Sequence, residues 1–224
     1  MSVQPDVRAG GRDHPAEIEA DFAVHRVGML VGGIAAAALL AVTAAAAGPT
    51  TLEAVLVYTI GLMAMLSLSA AYHFHYESER GELLRRLDHA AIFVMIAGTY
   101  TPFTVGILNG AAAVWSTGSM WAAALAGAAV KLAYPRRFEW ISIVFYLALG
   151  WAAVVFMRPL LAALDRPTLV LLVLGGVVYT IGAVIHGWRR LPFHDAIWHA
   201  LVLVAAGCHY AAILHGVVLI APRS

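Results

Sequence analysis

Length, composition and charge exclude several classes of protein. The chain has 224 residues, of which 62% are hydrophobic and 12% charged, and its net charge is +1. Its mean hydropathy is +0.82. Soluble globular domains average about 45–50% apolar and 25% charged residues, so an ordinary soluble fold is excluded. The scattered basic residues argue against a nucleic-acid partner. The single cysteine, Cys208, excludes an intrachain disulfide framework and a cysteine-based zinc knuckle.

The first part of the chain differs from the rest. Residues 1–24 are polar, and their acidic stretch of Glu17, Glu19 and Asp21 predicts a short surface helix on a cytoplasmic N-terminal segment. We expect no secretory signal, because the first apolar run begins only near Val27 and is long enough to span a membrane. Residues 25–221 form the predicted transmembrane domain.

Apolar runs recur along this domain. A membrane-spanning helix needs about 20 consecutive apolar residues. Runs of that kind lie at about 27–47, 51–75, 87–109, 111–132, 138–158, 167–187 and 194–220. They predict an all-α membrane protein, a bundle of seven transmembrane helices.

The basic residues predict how this bundle is oriented. They are concentrated in the N-terminal segment and in the second, fourth and sixth loops, and nearly absent from the alternate loops. Those in the favoured segments include Arg8, Arg12, Arg26, Arg80, Arg85, Arg86, Lys131, Arg136, Arg137, Arg189 and Arg190. Positive loops stay in the cytoplasm, which places the N-terminus inside and the C-terminus outside. An odd number of spans is therefore required, in a multi-pass protein of the cell inner (plasma) membrane.

Ionisable residues gather at one membrane depth in this topology. His73 ends the second span, Asp88 begins the third, and His194, Asp195 and His199 begin the seventh. Such groups are costly in hydrocarbon, so each is a functional candidate. Three separate regions of sequence converge on the cytoplasmic face.

Helical spacing sorts these residues into a predicted zinc site. Asp195 and His199 are four residues apart and share a helix face, whereas His194 lies about 140° from His199. Zinc binds histidine nitrogen and carboxylate oxygen, and catalytic sites keep three protein ligands. His73, Asp195 and His199 provide that set. The alternative is that they are structural hydrogen-bonding residues at helix ends.

Two further groups complete the predicted chemistry. Asp88 remains as a base or a hydrogen-bond partner of the zinc-bound water. Ser69 lies four residues before His73, on the same face and one turn deeper. His25 opens the first span and either faces the same cavity or caps the helix end.

Several motifs together resemble the hemolysin III family, the bacterial branch of the progestin and adipoQ receptor proteins, in the wider group that includes alkaline ceramidases. The resemblance covers about residues 17–217. It rests on Ser69-Ala-Ala-Tyr-His73, Leu87-Asp88-His89, Ile96-Ala-Gly-Thr-Tyr-Thr-Pro-Phe103, Ala196-Ile-Trp-His199 and Cys208-His209-Tyr210, with Asp21 and His25 before the first span.

The resemblance implies a seven-helix bundle with a cytoplasm-facing zinc site built from a Ser-x-x-x-His, an Asp and a His-x-x-x-His motif. His73, Ser69, Asp88 and His199 match this pattern. The first histidine of the closing pair is absent, because Asp195 stands at its position. An aspartate can ligate zinc through oxygen, and a local shift could recruit His194 in its place.

The function expected from these features is a zinc-dependent hydrolase that cleaves a lipid amide or ester at the cytoplasmic leaflet and takes part in membrane homeostasis. In this hypothesis Asp88 and Ser69 are catalytic, and membrane lipids are both surroundings and substrate. Two rivals stay open. One is a non-enzymatic protein, either a cytolysin-like pore or a factor that responds to membrane fluidity, and the other is a purely structural metal site.

Overall fold

A computed structural model describes residues 15–134, 139–152 and 158–220. Within these ranges the chain forms eight α-helices. They are α1 (Pro15–Ala46), α2 (Pro49–Phe74), α3 (Gly81–Gly106), α4 (Gly110–Ala133), α5 (Glu139–Gly150), α6 (Arg158–Ala163), α7 (Arg166–Gly187) and α8 (His194–Ile213). A π-helical segment, Leu214–Leu219, extends α8. The all-helical class predicted from sequence is confirmed.

Five of these helices are long and apolar enough to cross a membrane: α1, α2, α4, α7, and α8 with its π-helical extension. Helix α3 is long, but polar residues such as His89 and Thr99 interrupt its apolar stretch. Helix α5 has 12 residues in the described part of the chain, fewer than a span needs. The fold is thus that of a multi-pass helical membrane protein. The total of seven transmembrane helices stays a prediction.

Helix α1 runs without a break through the predicted boundary at residue 24. Its 32 residues include both the acidic stretch and the first apolar run. Glu17 and Glu19 lie in the first two turns, and Asp21 follows in the buried face of the same helix. The N-terminal turns of α1 therefore carry side chains into the bundle.

The helices pack in chain order and close on themselves. Helix α2 packs between α1 and α3, α3 packs on α4, and α8 packs on both α7 and α1. Helix α3 has the longest series of buried residues, with Phe93 and Phe103 almost fully enclosed. Large apolar side chains on the outer helices are exposed, among them Leu30 and Trp115. Such a surface is suited to lipid and not to water.

This packing brings several helix ends of the described chain to one end of the bundle. Among them are the N-terminal turns of α1, α3 and α8 and the C-terminal turns of α2 and α7. Apolar burial and helix packing hold the ends together, so polar side chains that are distant in sequence become neighbours there.

Candidate metal centre

Four side chains form a buried group at this end of the bundle, which we call the inner cluster: Asp21, His25, His73 and His199. Each offers one ligand atom, and these atoms all lie within 4.8 Å of one another. The side chains are 5–12% exposed. Two come from α1, one from α2 and one from α8, so the cluster joins three helices.

Local sequence explains how α1 contributes two members. Asp21 and His25 are four residues apart, so both lie on the same face of α1. Gly28 follows on this helix, and an added Cβ there would come within 2.9 Å of Leu203 Cδ2. The missing side chain allows α8 to approach α1 closely, and His199 lies one turn before Leu203.

The carboxylate of Asp21 is the centre of the inner cluster. Its Oδ1 lies 2.6 Å from His199 Nδ1 and 3.7 Å from His25 Nδ1. Its Oδ2 lies 3.9 Å from His73 Nε2. The three imidazole rings surround it, with centroids 4.3–4.6 Å apart. One carboxylate thus faces three histidines in a space that is largely shielded from bulk water.

Hydrogen bonds fix how two of these rings are turned. His73 Nδ1 lies 2.9 Å from the Ser69 carbonyl oxygen. A carbonyl only accepts, so Nδ1–H donates and Nε2 keeps a free lone pair towards the cluster. His25 Nδ1 donates in the same way to the Asp21 carbonyl at 2.9 Å, and its Nε2 lies 3.3 Å from Ser69 Oγ. A metal-binding histidine is usually oriented by such a bond on its second nitrogen.

The residues predicted as catalytic lie beside this cluster. Ser69 lies one turn from His73 and contacts His25 through its hydroxyl. Asp88 is buried on α3 and lies near enough to Ser69 and His199 to interact electrostatically with both. Ser69 and His25 form a polar chain that ends at the backbone of Asp21, and Asp88 lies beside it.

The donor set fits a zinc ion. Zinc is bound by imidazole nitrogen and carboxylate oxygen, and catalytic zinc sites keep three protein ligands and an open position. Asp21, His73 and His199 provide two imidazoles and one carboxylate. His25 has both ring nitrogens engaged by Asp21 and Ser69, which suits it to hold the other groups in place.

A second group, which we call the outer cluster, comprises His186, His194 and Asp195. Asp195 Oδ1 lies 3.3 Å from His186 Nδ1 and 2.9 Å from His194 Nδ1. The three side chains are 19–43% exposed. His186 ends α7, while His194 and Asp195 begin α8.

The structure therefore brings together two of the three predicted zinc ligands, His73 and His199, and places the third elsewhere. Asp195 lies about 40° from His199 around α8 and one turn nearer the helix start. At that angle and depth its short side chain meets α7, whereas His199 meets α1. His194, the predicted substitute, lies with Asp195.

Asp21 and His25 are the inner-cluster members that sequence reasoning did not place among the ligands. Asp21 was expected on a surface helix, and His25 was left between two interpretations. The signal that could have found them is their four-residue spacing, the same as that of Asp195 and His199. This spacing does not single out Asp21 by itself, because Glu17 and Glu19 offer carboxylates on the same stretch of helix.

A cleft at the end of the bundle connects the two clusters. Its walls come from the first turns of α1, the end of α2 and the start of α8. It is lined by Glu17, Ile18, Asp21, Phe22, His73, Tyr76, Phe193, His194, Asp195 and Ala196. The inner cluster is thus buried by side chains but is reached from outside the bundle.

The fold and the site define a class of protein: multi-pass helical membrane proteins with a buried histidine–carboxylate cluster at one end of the bundle. A match to a known family identifies the chain more closely. Residues 21–210 match the family described as Haemolysin-III related. The chain belongs to this family, and the resemblance drawn from its motifs is confirmed.

Individual relatives agree with this assignment. The chain is 32% identical to the Hemolysin-3 homolog of Bacillus subtilis (strain 168) over 196 residues, which is 87% of this chain and 92% of the relative. It is 34% identical to Hemolysin-3 of Bacillus cereus over 158 residues, 70% of this chain and 72% of the relative. It is 28% identical to the human Monocyte to macrophage differentiation factor over 165 residues, 70% and 67% of the two chains. No solved structure matches the chain significantly.

Proposed function

We propose that this protein is a zinc-dependent membrane hydrolase that cleaves a lipid amide or ester, with the ion held by Asp21, His73 and His199. The observation that carries the proposal is the position of the buried Asp88 and of the Ser69 hydroxyl beside the inner cluster, with Ser69 Oγ 3.3 Å from His25 Nε2. A purely hydrogen-bonded cluster would not require a separate buried carboxylate and hydroxyl beside it.

Each residue has a distinct part in this proposal. Bound zinc would polarise the scissile carbonyl and lower the pKa of its water to about 7. Asp88 takes the proton from the attacking water as a positioned general base and returns it to the leaving amine or alcohol as the carbonyl–heteroatom bond breaks. Ser69 can turn its hydroxyl from His25 to the developing oxyanion and donate to it. His25 positions the Ser69 hydroxyl through Nε2 and the backbone of Asp21 through Nδ1.

We also propose the seven-span arrangement, with the N-terminus in the cytoplasm and the C-terminus outside, in the inner membrane. Supporting it, the ends of α1, α2, α3, α7 and α8 that share one side of the bundle alternate in chain direction as seven spans require. The two clusters then face the cytoplasm. A substrate from the inner leaflet would reach the inner cluster through the cleft.

Single-cysteine labelling tests this topology. In a Cys208→Ala background, Ser2→Cys should be protected in intact cells from a membrane-impermeant maleimide, and Ser224→Cys should react. Reaction at both positions would contradict the odd number of spans.

The hydrolase test uses purified protein in mild detergent, loaded with zinc and incubated with lipid amides and lipid esters. We expect release of a fatty acid that gains one oxygen from ¹⁸O-labelled water, measured by mass spectrometry. Zinc-loaded Asp88→Asn should release none above background. A native protein that holds zinc but hydrolyses no member of either lipid class would contradict the proposal.

A structural metal site is the second candidate, because the inner cluster joins α1, α2 and α8. Removal of zinc distinguishes a structural metal site from a catalytic one. If the ion is structural, a chelator lowers the unfolding temperature strongly and no lipid is hydrolysed at any zinc content.

The names of the Bacillus relatives point to a third candidate, a cytolytic pore. Leakage of dye from vesicles containing the purified protein would favour it. We place it behind the hydrolase, because both described clusters lie at one end of the bundle and a pore requires polar groups through the full depth.

A further inference from the structure

The outer cluster is a second place where ligand atoms meet, and the proposed hydrolase does not use it. His186 comes from the last turn of α7, and His194 and Asp195 come from the first turn of α8. The loop between them is short. Two helices therefore deliver three donors of the types that zinc accepts.

The distances in the outer cluster suit a shared ion. Ligand atoms at about 2.0–2.2 Å from a tetrahedral zinc ion lie roughly 3.3–3.5 Å from one another. The separations from Asp195 Oδ1 to the two imidazole nitrogens are 3.3 Å and 2.9 Å. All three ligand atoms lie within 4.8 Å of one another, so rotation of the side chains can bring them into ligand positions.

The imidazole nitrogens are not satisfied by the protein. Nδ1 of His186 and Nδ1 of His194 are both shielded from solvent and lack a hydrogen-bond partner in the described part of the chain. The Asp195 carboxylate lies within ion-pair distance of both nitrogens. A shielded polar atom without a partner costs about 1–3 kcal/mol. A metal ion between these atoms and the carboxylate would remove that cost.

Packing holds this arrangement in place. Gly182 lies one turn before His186, and an added Cβ there would come within 2.8 Å of Trp198 Cε3. The Trp198 ring lies beside His186, with centroids 5.5 Å apart. At the other end of the loop, Phe193 has a φ of 59°, a strained conformation for a bulky residue. It turns the chain so that His194 and Asp195 begin α8 facing α7.

We infer that the outer cluster binds a divalent transition-metal ion, separate from the ion of the inner cluster. Mixed imidazole and carboxylate ligands select this class over magnesium or calcium, which prefer oxygen alone. The ion ties the end of α7 to the start of α8. Its ligands are 19–43% exposed, so it exchanges with solvent more readily than the inner ion.

Zinc stoichiometry tests this inference directly. Protein in mild detergent is dialysed against micromolar zinc and then against zinc-free buffer, and bound zinc per chain is measured by mass spectrometry. We expect two ions in the native protein, one in His186→Ala, one in His73→Ala and none in the double variant. His75→Ala is the matched control, because His75 is exposed at the same end of the bundle and belongs to neither cluster. It should keep two.

The chelation order gives a second readout. A competing chelator should remove one ion first, and that ion should be the one missing from His186→Ala. If His186→Ala does not fold, Asp195→Asn and His194→Gln make the same test.

Other results would overturn the inference. They are a native protein with one ion that is lost only in His73→Ala, or a folded His186→Ala that keeps two ions or loses both. Loss of the same single ion in Asp195→Asn and His73→Ala would instead assign Asp195 to the inner cluster. One ion lost in His186→Ala and kept in His73→Ala would support the inference while contradicting the proposed inner site. Lipid hydrolysis plays no part in any of these outcomes.

Discussion

The inner and outer clusters use the same kinds of side chain and differ mainly in what surrounds them. The inner cluster is 5–12% exposed and takes residues from α1, α2 and α8. The outer cluster is 19–43% exposed and takes residues from α7 and α8 alone. Of the two clusters, only the inner one has a buried carboxylate, Asp88, and a hydroxyl, Ser69, beside it. Electrostatic effects are stronger where water is excluded, so we propose chemistry at the inner cluster and exchangeable binding at the outer one.

The sharpest test of this difference removes one histidine from each cluster. His73→Ala should lower the rate of lipid hydrolysis by about 10³-fold or more, because charge stabilisation by a bound metal is worth several kcal/mol. His186→Ala should change the rate by less than about twofold. Initial rates for the two zinc-dialysed variants are the measurement. Equal losses in both would show that the clusters act as one site.

A substitution at Asp88 should distinguish the catalytic step from metal binding at the inner cluster. Asp88→Asn should reduce kcat by about 10²–10⁴-fold, the usual contribution of a general base, while zinc content stays at the native value. Glu53→Gln, at an exposed position on α2, is the matched control and should be silent. Loss of zinc together with activity would make Asp88 a supporting residue of the metal site.

Asp21 should set the affinity of the inner cluster alone. Asp21→Asn keeps the shape but removes the charge that faces His73 and His199. Because Asp21 is itself a proposed ligand, we expect zinc affinity to fall by more than the roughly 10–100-fold that loss of a ligand's supporting partner costs. Competition with a chromophoric chelator measures the change. Glu19→Gln, an exposed neighbour on the same helix, should bind zinc as the native protein does. An unchanged zinc affinity in Asp21→Asn would indicate that Asp195, and not Asp21, is the carboxylate ligand of the inner site.

The two glycines that allow these helix contacts should respond differently to alanine. A Cβ at Gly28 meets the flexible end of Leu203, whereas a Cβ at Gly182 meets the Trp198 ring and Leu201 Cβ. Overpacking that cannot relax costs about 1–3 kcal/mol. Gly182→Ala should therefore lower the unfolding temperature more than Gly28→Ala does. The opposite order would indicate that α1 and α8 form the more rigid contact.

Hydropathy and charge alone indicated much of this protein. The long apolar runs predicted α1, α2, α4, α7 and α8 as helices, because burying a backbone in lipid requires its hydrogen bonds to be made within each segment. The concentration of polar residues at span ends likewise predicted that His73, Asp88 and His199 would share one end of the bundle. Both features depend on local sequence and on the thickness of a membrane, so no tertiary contact was needed to find them.

Only the tertiary structure decided which carboxylate meets which histidine. Asp21–His25, Ser69–His73 and Asp195–His199 all have the same four-residue spacing, which places each pair on one helix face without saying which neighbour that face meets. Close packing at Gly28 brings α1 to His199, and close packing at Gly182 brings α7 to Asp195. Asp195 and His199 on α8 therefore belong to different clusters, because α7 and α1 approach α8 from different sides.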